Sequence, residues 1–255
     1  MALKIASKIS GEGEPLVVLH GLFGSGDNWG SFSRKWSQNY KVFLLDLPNH
    51  GESGTLEDFT FPRIVQELET WRESEIQGPV TLLGHSLGGK VVMEWALAYP
   101  DSVSTLVVAD MTPRAYDNHL DKIIQLLLET DLGTFSNRIE VRKFWENKLG
   151  DPILAAFLAK NVGDEGGFLS WKLRREQIWN HRKDLWAALD SGRVFTGPTL
   201  FVGGAESPYI QEQDHRLIGE FFPQAEIRLV PKAGHWVQAD NPLGFLEALE
   251  DYISL

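Results

Sequence analysis

Gly84-His85-Ser86-Leu87-Gly88 stands directly behind the apolar run Val80-Thr81-Leu82-Leu83 and spells G-x-S-x-G, a nucleophile elbow in which a serine rides a very tight strand-to-helix turn. The spelling has a physical reason. So tight a turn drives the serine toward positive φ, where an L side chain crowds the backbone. Glycine two positions to either side relieves that crowding. Behind it, Val91, Val92, Trp95, Ala96 and Tyr99 recur at helical spacing until Pro100 stops the run. The free N–H groups that open such a helix face the place where an oxyanion would form. The alternative, a glycine-rich turn whose serine only caps a helix, is weaker because strand and helix both stand where the motif requires them.

A serine hydroxyl is a poor nucleophile at neutral pH and needs a base. Gly234-His235-Trp236, behind the apolar run Ile227–Val230, offers His235. A carboxylate must then orient the imidazole and stabilise its charged form. Two places compete for it. Asp110 ends Leu106-Val107-Val108-Ala109, and the C-terminal end of a parallel strand lies on the face where α/β active sites form. Glu206 follows the run Thr199–Val202, next to Ser207, which stands where an aspartate is expected. Asp110 is the stronger candidate; Glu206, or a mere helix-capping role for Asp110, are the alternatives. The oxyanion donors are expected at the N–H of Leu87 and, in the loop His20-Gly21-Leu22-Phe23-Gly24, at Leu22. No Gly-Lys-Ser/Thr follows that loop, so it is not a phosphate loop.

Short apolar runs alternate with helical patterns. Strands are expected over Leu3–Ile9, Leu16–Leu19, Val42–Leu45, Val80–Leu83, Thr105–Ala109, Thr199–Val202 and Ile227–Val230. Several are apolar throughout, as strands buried on both faces of a parallel sheet are. The fold class expected is therefore α/β: a mostly parallel, twisted sheet of about seven to eight strands flanked by helices, its first strand antiparallel. The alternation breaks once. Between Asp110 and about Thr196 no strand is expected, while Ile123–Leu128, Ile153–Leu158 and Leu173–Trp186 read as helices and Gly163–Gly167 as a flexible turn. Residues 1–110 and 197–255 then form one core and 111–196 a helical lid, within a single domain. Lid residues Phe144 and Trp145, above Leu22, Phe23, Met111, Tyr209 and Trp236, are the expected substrate-binding set.

Composition narrows the partners. The 255-residue chain carries a formal net charge of −11, which disfavours nucleic acid and anionic membrane surfaces. It has no cysteine, which excludes disulfides and thiol nucleophiles. No histidine pair has metal-ligand spacing, so neither metal nor cofactor is expected. His50 and His85 are expected to scaffold loops, and His119, His181 and His215 to lie at the surface. With no apolar signal segment or membrane span in the sequence, a cytoplasmic monomer or homodimer is expected.

Together, His20-Gly21, Asp46-Leu47-Pro48-Asn49-His50-Gly51-Glu52-Ser53, the elbow and Gly234-His235-Trp236 resemble the α/β-hydrolase family along the whole chain. Serine, acid and histidine follow one another in that family in the order found here. A narrower resemblance, to YbfF-type bacterial esterases, rests on His20–Trp29, Asn49-His50-Gly51, Asp110–Tyr116 and Ser207-Pro208-Tyr209-Ile210. It implies that the acid follows the strand before the lid, which favours Asp110. It also implies hydrolysis of short-to-medium acyl esters and some acyl-CoA thioesters. The expectation is a serine carboxylesterase acting on a small acyl ester. An acyl-CoA thioesterase using Arg114, Arg138, Arg142 and Lys143 as a basic rim is the nearest alternative. A carbon–carbon bond hydrolase and a non-catalytic binding protein of this fold are more remote.

Overall fold

A computed structural model describes residues 2–117, 120–166, 168–190 and 192–254. In chain order, β1 (Ser7–Ser10), β2 (Glu14–Leu19), α1 (Gly30–Trp36), β3 (Tyr40–Leu45), α2 (Phe61–Glu75), β4 (Val80–His85), α3 (Leu87–Ala98) and β5 (Val103–Ala109) form the first half. The segment that follows holds α4 (Asp121–Glu129), α5 (Arg138–Leu149), α6 (Pro152–Leu158), β6 (Val162–Glu165), β7 (Phe168–Trp171), α7 (Arg175–Asn180) and α8 (Arg182–Trp186). The chain then returns through β8 (Thr199–Gly204), α9 (His215–Phe221), β9 (Ala225–Val230), α10 (Val237–Asp240) and α11 (Pro242–Leu249).

Seven strands make one sheet in the order β1-β3-β2-β4-β5-β8-β9. The edge strand β1 runs antiparallel to β3, and every other neighbour is parallel. Side chains alternate across it. Val17, Leu19, Leu82, Leu106 and Val108 enter the core on the α2–α3 face, while Leu16, Val18, Leu83, Val107 and Ala109 enter the core that α1 and α11 cover. That two-sided burial is why these strands read as unbroken apolar runs. Because β2 sends the chain first to β3 and then back to β4, the order reverses at β2/β4, where the C-terminal strand ends open a crevice.

The segment between β5 and β8 departs from expectation in two respects. It contains a two-stranded antiparallel hairpin, β6–β7, with Val162 paired to Trp171 and Glu165 to Phe168. Each strand is only four residues long and mixes polar with apolar side chains, so neither shows the period-two pattern of a strand. Of the expected turn Gly163–Gly167, Gly163, Asp164 and Glu165 belong to β6, Gly166 is at φ 63°, and Gly167 lies outside the described residues. The expected helix over Leu173–Trp186 is broken at His181 into α7 and α8. Among the described residues no helix is long and apolar enough to cross a membrane.

Candidate active site

The site is assembled from the C-terminal ends of neighbouring strands. The loop His20–Gly24 leaves β2, Ser86 leaves β4, Asp110 leaves β5, the turn at Gly204–Ser207 leaves β8, and the loop carrying His235 leaves β9. Residues 215 positions apart in sequence thereby meet at one edge of the sheet.

Ser86 sits at φ 54°. The glycines beside it are there for space: a Cβ on Gly84 would lie 2.2 Å from the Gly88 carbonyl oxygen, and one on Gly88 would lie 2.6 Å from that of His20. His235 Nε2 is 3.0 Å from Ser86 Oγ, and its Nδ1 is 2.7 Å from Asp110 Oδ2. A carboxylate only accepts, so Nδ1 carries the proton and Nε2 is left to receive one from the serine. Asp110 is fully buried and also at positive φ (49°), which swings its side chain off the strand toward His235. Its oxygens take further hydrogen bonds from the Gly204 N–H (3.1 Å) and the Ser207 hydroxyl (2.5 Å). Ser207 thus holds the carboxylate from the position where an acid was expected. The competing Glu206 is exposed, and the first helix after Asp110 begins only at Asp121, so Asp110 caps none.

Leu87 opens α3, so its amide is among the first four N–H groups that lack an intrahelical acceptor. Opposite it, a Gly24 N–H to Gly21 C=O bond of 3.0 Å closes a turn with Leu22 and Phe23 at its corners. Phe23 occupies φ 64°, a conformation that favours glycine. It is held there by its own N–H donating to His50 Nε2 (3.3 Å) and by Asn161 Nδ2 donating to its carbonyl (2.8 Å). The turn lies against the elbow: a Cβ on Gly21 would come within 3.1 Å of the Ser86 Cβ.

Three buried histidines brace these loops. The Nδ1–H of His20 donates to the Gly21 carbonyl (2.7 Å), and that of His50 to the Pro48 carbonyl (3.0 Å). His85 Nε2–H donates to the His235 carbonyl (2.7 Å), which ties the elbow to the loop that carries His235. Burial is the leading cause that draws His20 down to about 4 and His50 and His85 to about 3, so all three are neutral imidazoles. His50 and His85 thus scaffold loops as expected, and His20 joins them by bridging Gly21 to Leu47. His181 pairs with Asp184 (3.1 Å), His215 is exposed at the start of α9, and His119 lies outside the described residues.

A cavity of about 700 Å³ opens over Ser86 and His235. Of the expected substrate-binding set, Leu22, Phe23, Tyr209 and Trp236 line it. Met111, Phe144 and Trp145 do not. Met111 is buried against α3, where a Cβ on Gly89 would meet its own Cβ at 3.0 Å. Trp145 is fully buried, bonds Thr130 Oγ1 through its indole N–H (2.9 Å) and stacks on Trp171, while Phe144 packs on Phe135. The wall facing the serine comes instead from α4 and α6, through Ile123, Leu154 and Phe157. Tyr209 has a second contact without any local signal in the chain: its ring stacks on the His235 imidazole at 4.0 Å and 18°. None of Arg114, Arg138, Arg142 and Lys143 lines this cavity. Arg114 is engaged by Asp214 and by the face of Tyr116. Among the described residues no group of three or more histidines or carboxylates is placed to hold a metal ion.

Known proteins agree with this architecture. A family model of the alpha/beta hydrolase fold matches residues 14–242. The chain is 34% identical over 251 residues to the sn-1-specific diacylglycerol lipase ABHD11 of Danio rerio, an alignment that covers 95% of this chain and 79% of that one. It is 28% identical over 243 residues to the esterase YbfF of Escherichia coli strain K12, covering 94% and 93%. A solved marine microorganism esterase, 33% identical, superposes with a TM-score of 0.94 over 98% of this chain and 99% of that one. With the family matched over most of its length and the sheet, elbow and histidine loop in the family's order, this chain belongs to the alpha/beta hydrolases.

Proposed function

We infer that the protein is a cofactor-free serine carboxylesterase, with Ser86 as nucleophile, His235 as general base and acid, and Asp110 as the carboxylate that orients His235. The observation that carries the reading is the unbroken hydrogen-bond line from Ser86 Oγ through His235 to Asp110 at the floor of an apolar cavity. Ser86 Oγ attacks the acyl carbonyl while its proton passes to His235 Nε2. The tetrahedral oxyanion takes hydrogen bonds from the Leu22 and Leu87 amides, each such donor worth about 3–4 kcal/mol of barrier. His235 returns the proton to the leaving alkoxide, and the alcohol departs. Water, activated by the same nitrogen, then releases the acid and regenerates Ser86.

In this reading residues 111–196 act as a cap, and α4 and α6 supply the wall that the acyl group meets. Relatives named esterase and lipase support ester hydrolysis; none of Arg114, Arg138, Arg142 and Lys143 lines the cavity, where the basic side chains are Lys35 and Lys160. The test is hydrolysis of p-nitrophenyl esters from acetate to dodecanoate by wild type, Asp110→Ala and Glu206→Ala. Expected are turnover by wild type and Glu206→Ala, and a loss of about a thousandfold or more in kcat for Asp110→Ala. Loss in Glu206→Ala alone would move the acid, and no turnover by wild type on any ester would sink the reading.

A further inference from the structure

Lys90 lies one helical turn beyond Ser86 in α3, 1% exposed, among the apolar side chains of Val91, Val92 and Met93. A lysine in such a place is unusual, because a buried ammonium is costly unless its hydrogen bonds are made. Among the described residues it forms no ion pair. Its three N–H bonds go instead to three backbone carbonyls: Arg114 at 2.6 Å, Ala187 at 2.9 Å and Pro113 at 3.1 Å. Three donors meet three acceptors. Burial and the nearby Arg114 guanidinium draw the group down to about 7, while carbonyl dipoles aimed at Nζ favour its charged form.

Those carbonyls belong to the two places where the cap joins the core. Pro113 and Arg114 follow β5, and Ala187 follows α8 on the way back to β8. The two roots are paired to each other by the Leu189 N–H to Pro113 C=O and Tyr116 N–H to Trp186 C=O bonds, both 2.9 Å. From Tyr116 the contacts continue toward the base. Its hydroxyl accepts from the Thr112 N–H (3.0 Å) and donates to the Tyr209 carbonyl (3.0 Å), and the Tyr209 ring lies on His235. Packing alone does not call for a charge here, since methionine would fill much the same volume.

We propose that Lys90 is a positioning residue whose ammonium locks both roots of the cap onto the nucleophile helix and so holds the α4–α6 wall of the acyl cavity over Ser86. The description of that cavity as an acyl site rests on the esterase reading; the locking of the roots does not. Without the ammonium the closed cap becomes one of several states, so the apparent affinity for a cavity-filling substrate falls by the closed fraction.

The test compares wild type with Lys90→Met on p-nitrophenyl octanoate, which needs the wall, and on p-nitrophenyl acetate, which needs it little. Expected is a rise of about tenfold in KM for the octanoate with kcat nearly unchanged, a smaller change for the acetate, and new proteolytic cuts at 113–116 or 187–193. The chain contains no cysteine, so Lys90→Cys introduces a single thiol. Alkylating it in denaturant with 2-bromoethylamine (sulfur displaces bromide) and refolding restores an ammonium at the same reach, with alkylated wild type as control. Return of the octanoate KM and of the wild-type cleavage map is expected. An unchanged KM and map in Lys90→Met would overturn the proposal, as would equal losses on both esters through kcat, or no rescue. Loss of cooperative melting in Lys90→Met would also overturn it, by making the role fold-wide. If wild type hydrolyses no ester, that failure belongs to the functional reading, and the cleavage map still decides the role of Lys90.

Discussion

Acid should unfold this protein through its neutral histidines. His20, His50 and His85 are at most 4% exposed, and each folded-state value lies well below the ordinary 6.5. In the unfolded chain they charge as pH falls through 6.5; in the folded chain they stay neutral until about 4 or 3. Unfolding therefore takes up protons in the window between, and stability falls as pH falls. At pH 5 the loss is about 2 kcal/mol for each histidine and about 6 kcal/mol for the three. That is comparable with the whole stability of an ordinary domain, about 5–15 kcal/mol. Other groups do not mask it. Between pH 7 and 5, Lys90, drawn down to about 7, adds only a small effect of the same sign near pH 7, and Glu52, lowered from 4.5 by Lys172, exchanges below pH 5. The assay is the apparent unfolding free energy from urea titration at half-unit steps between pH 7 and 5, repeated for His50→Gln. Glutamine can still donate toward Pro48 and accept from the Phe23 amide but cannot titrate. The limiting slope should be about 4 kcal/mol per pH unit in wild type and about 1.4 less in the variant. A flat profile, or the same slope in both proteins, would refute the claim that these imidazoles are held neutral.

Two further outcomes follow from the packing. Gly88→Ala places a Cβ 2.6–2.7 Å from the carbonyls of His20 and Leu19, so the oxyanion loop and α3 must part. It should cost about 1–3 kcal/mol in stability and about a hundredfold in kcat, while Gly219→Ala in α9, with nothing within 4 Å, should cost neither; melting and steady-state kinetics on the pair decide. Ile123→Trp narrows the cavity from the α4 side, so octanoate turnover should fall at least about tenfold relative to acetate. An unaltered chain-length profile would show that the acyl group lies elsewhere.

What could be foreseen was whatever is encoded locally. The elbow needs a strand, two spaced glycines and a helix, all within twenty residues, and Asp110 needs only the end of an apolar run. The parallel sheet was visible because two-sided burial leaves whole runs apolar. The cavity wall was not. Phe144 and Trp145 are as apolar as Ile123 and Phe157, but Trp145 turns into the core that the segment between β5 and β8 shares with the α2–α3 face of the sheet, where it stacks on Trp171. Composition marks a residue as buried without saying against what. His50 and His85 read as loop scaffolds, but their partners did not, for a related reason: His85 meets the carbonyl of a residue 150 positions away. The β6–β7 hairpin escaped because four-residue strands are too short for a period to register.

The paired roots at Pro113 and Leu189 bear on how this scaffold could change its chemistry. Because the outgoing and returning chains are hydrogen-bonded to one another there, the segment between them leaves and re-enters the core at one place, while Asn161, Lys172 and Arg174 also fasten it to Phe23, Glu52 and Asn49. A foreign cap with closely spaced ends could be spliced in there if it also covered the α2–α3 face and replaced the Asn161 bond to Phe23. Asp110, Ser86 and His235 all lie on the core side. Exchange at this junction would therefore transplant substrate preference while leaving the reacting groups behind, provided the incoming ends present carbonyls to Lys90.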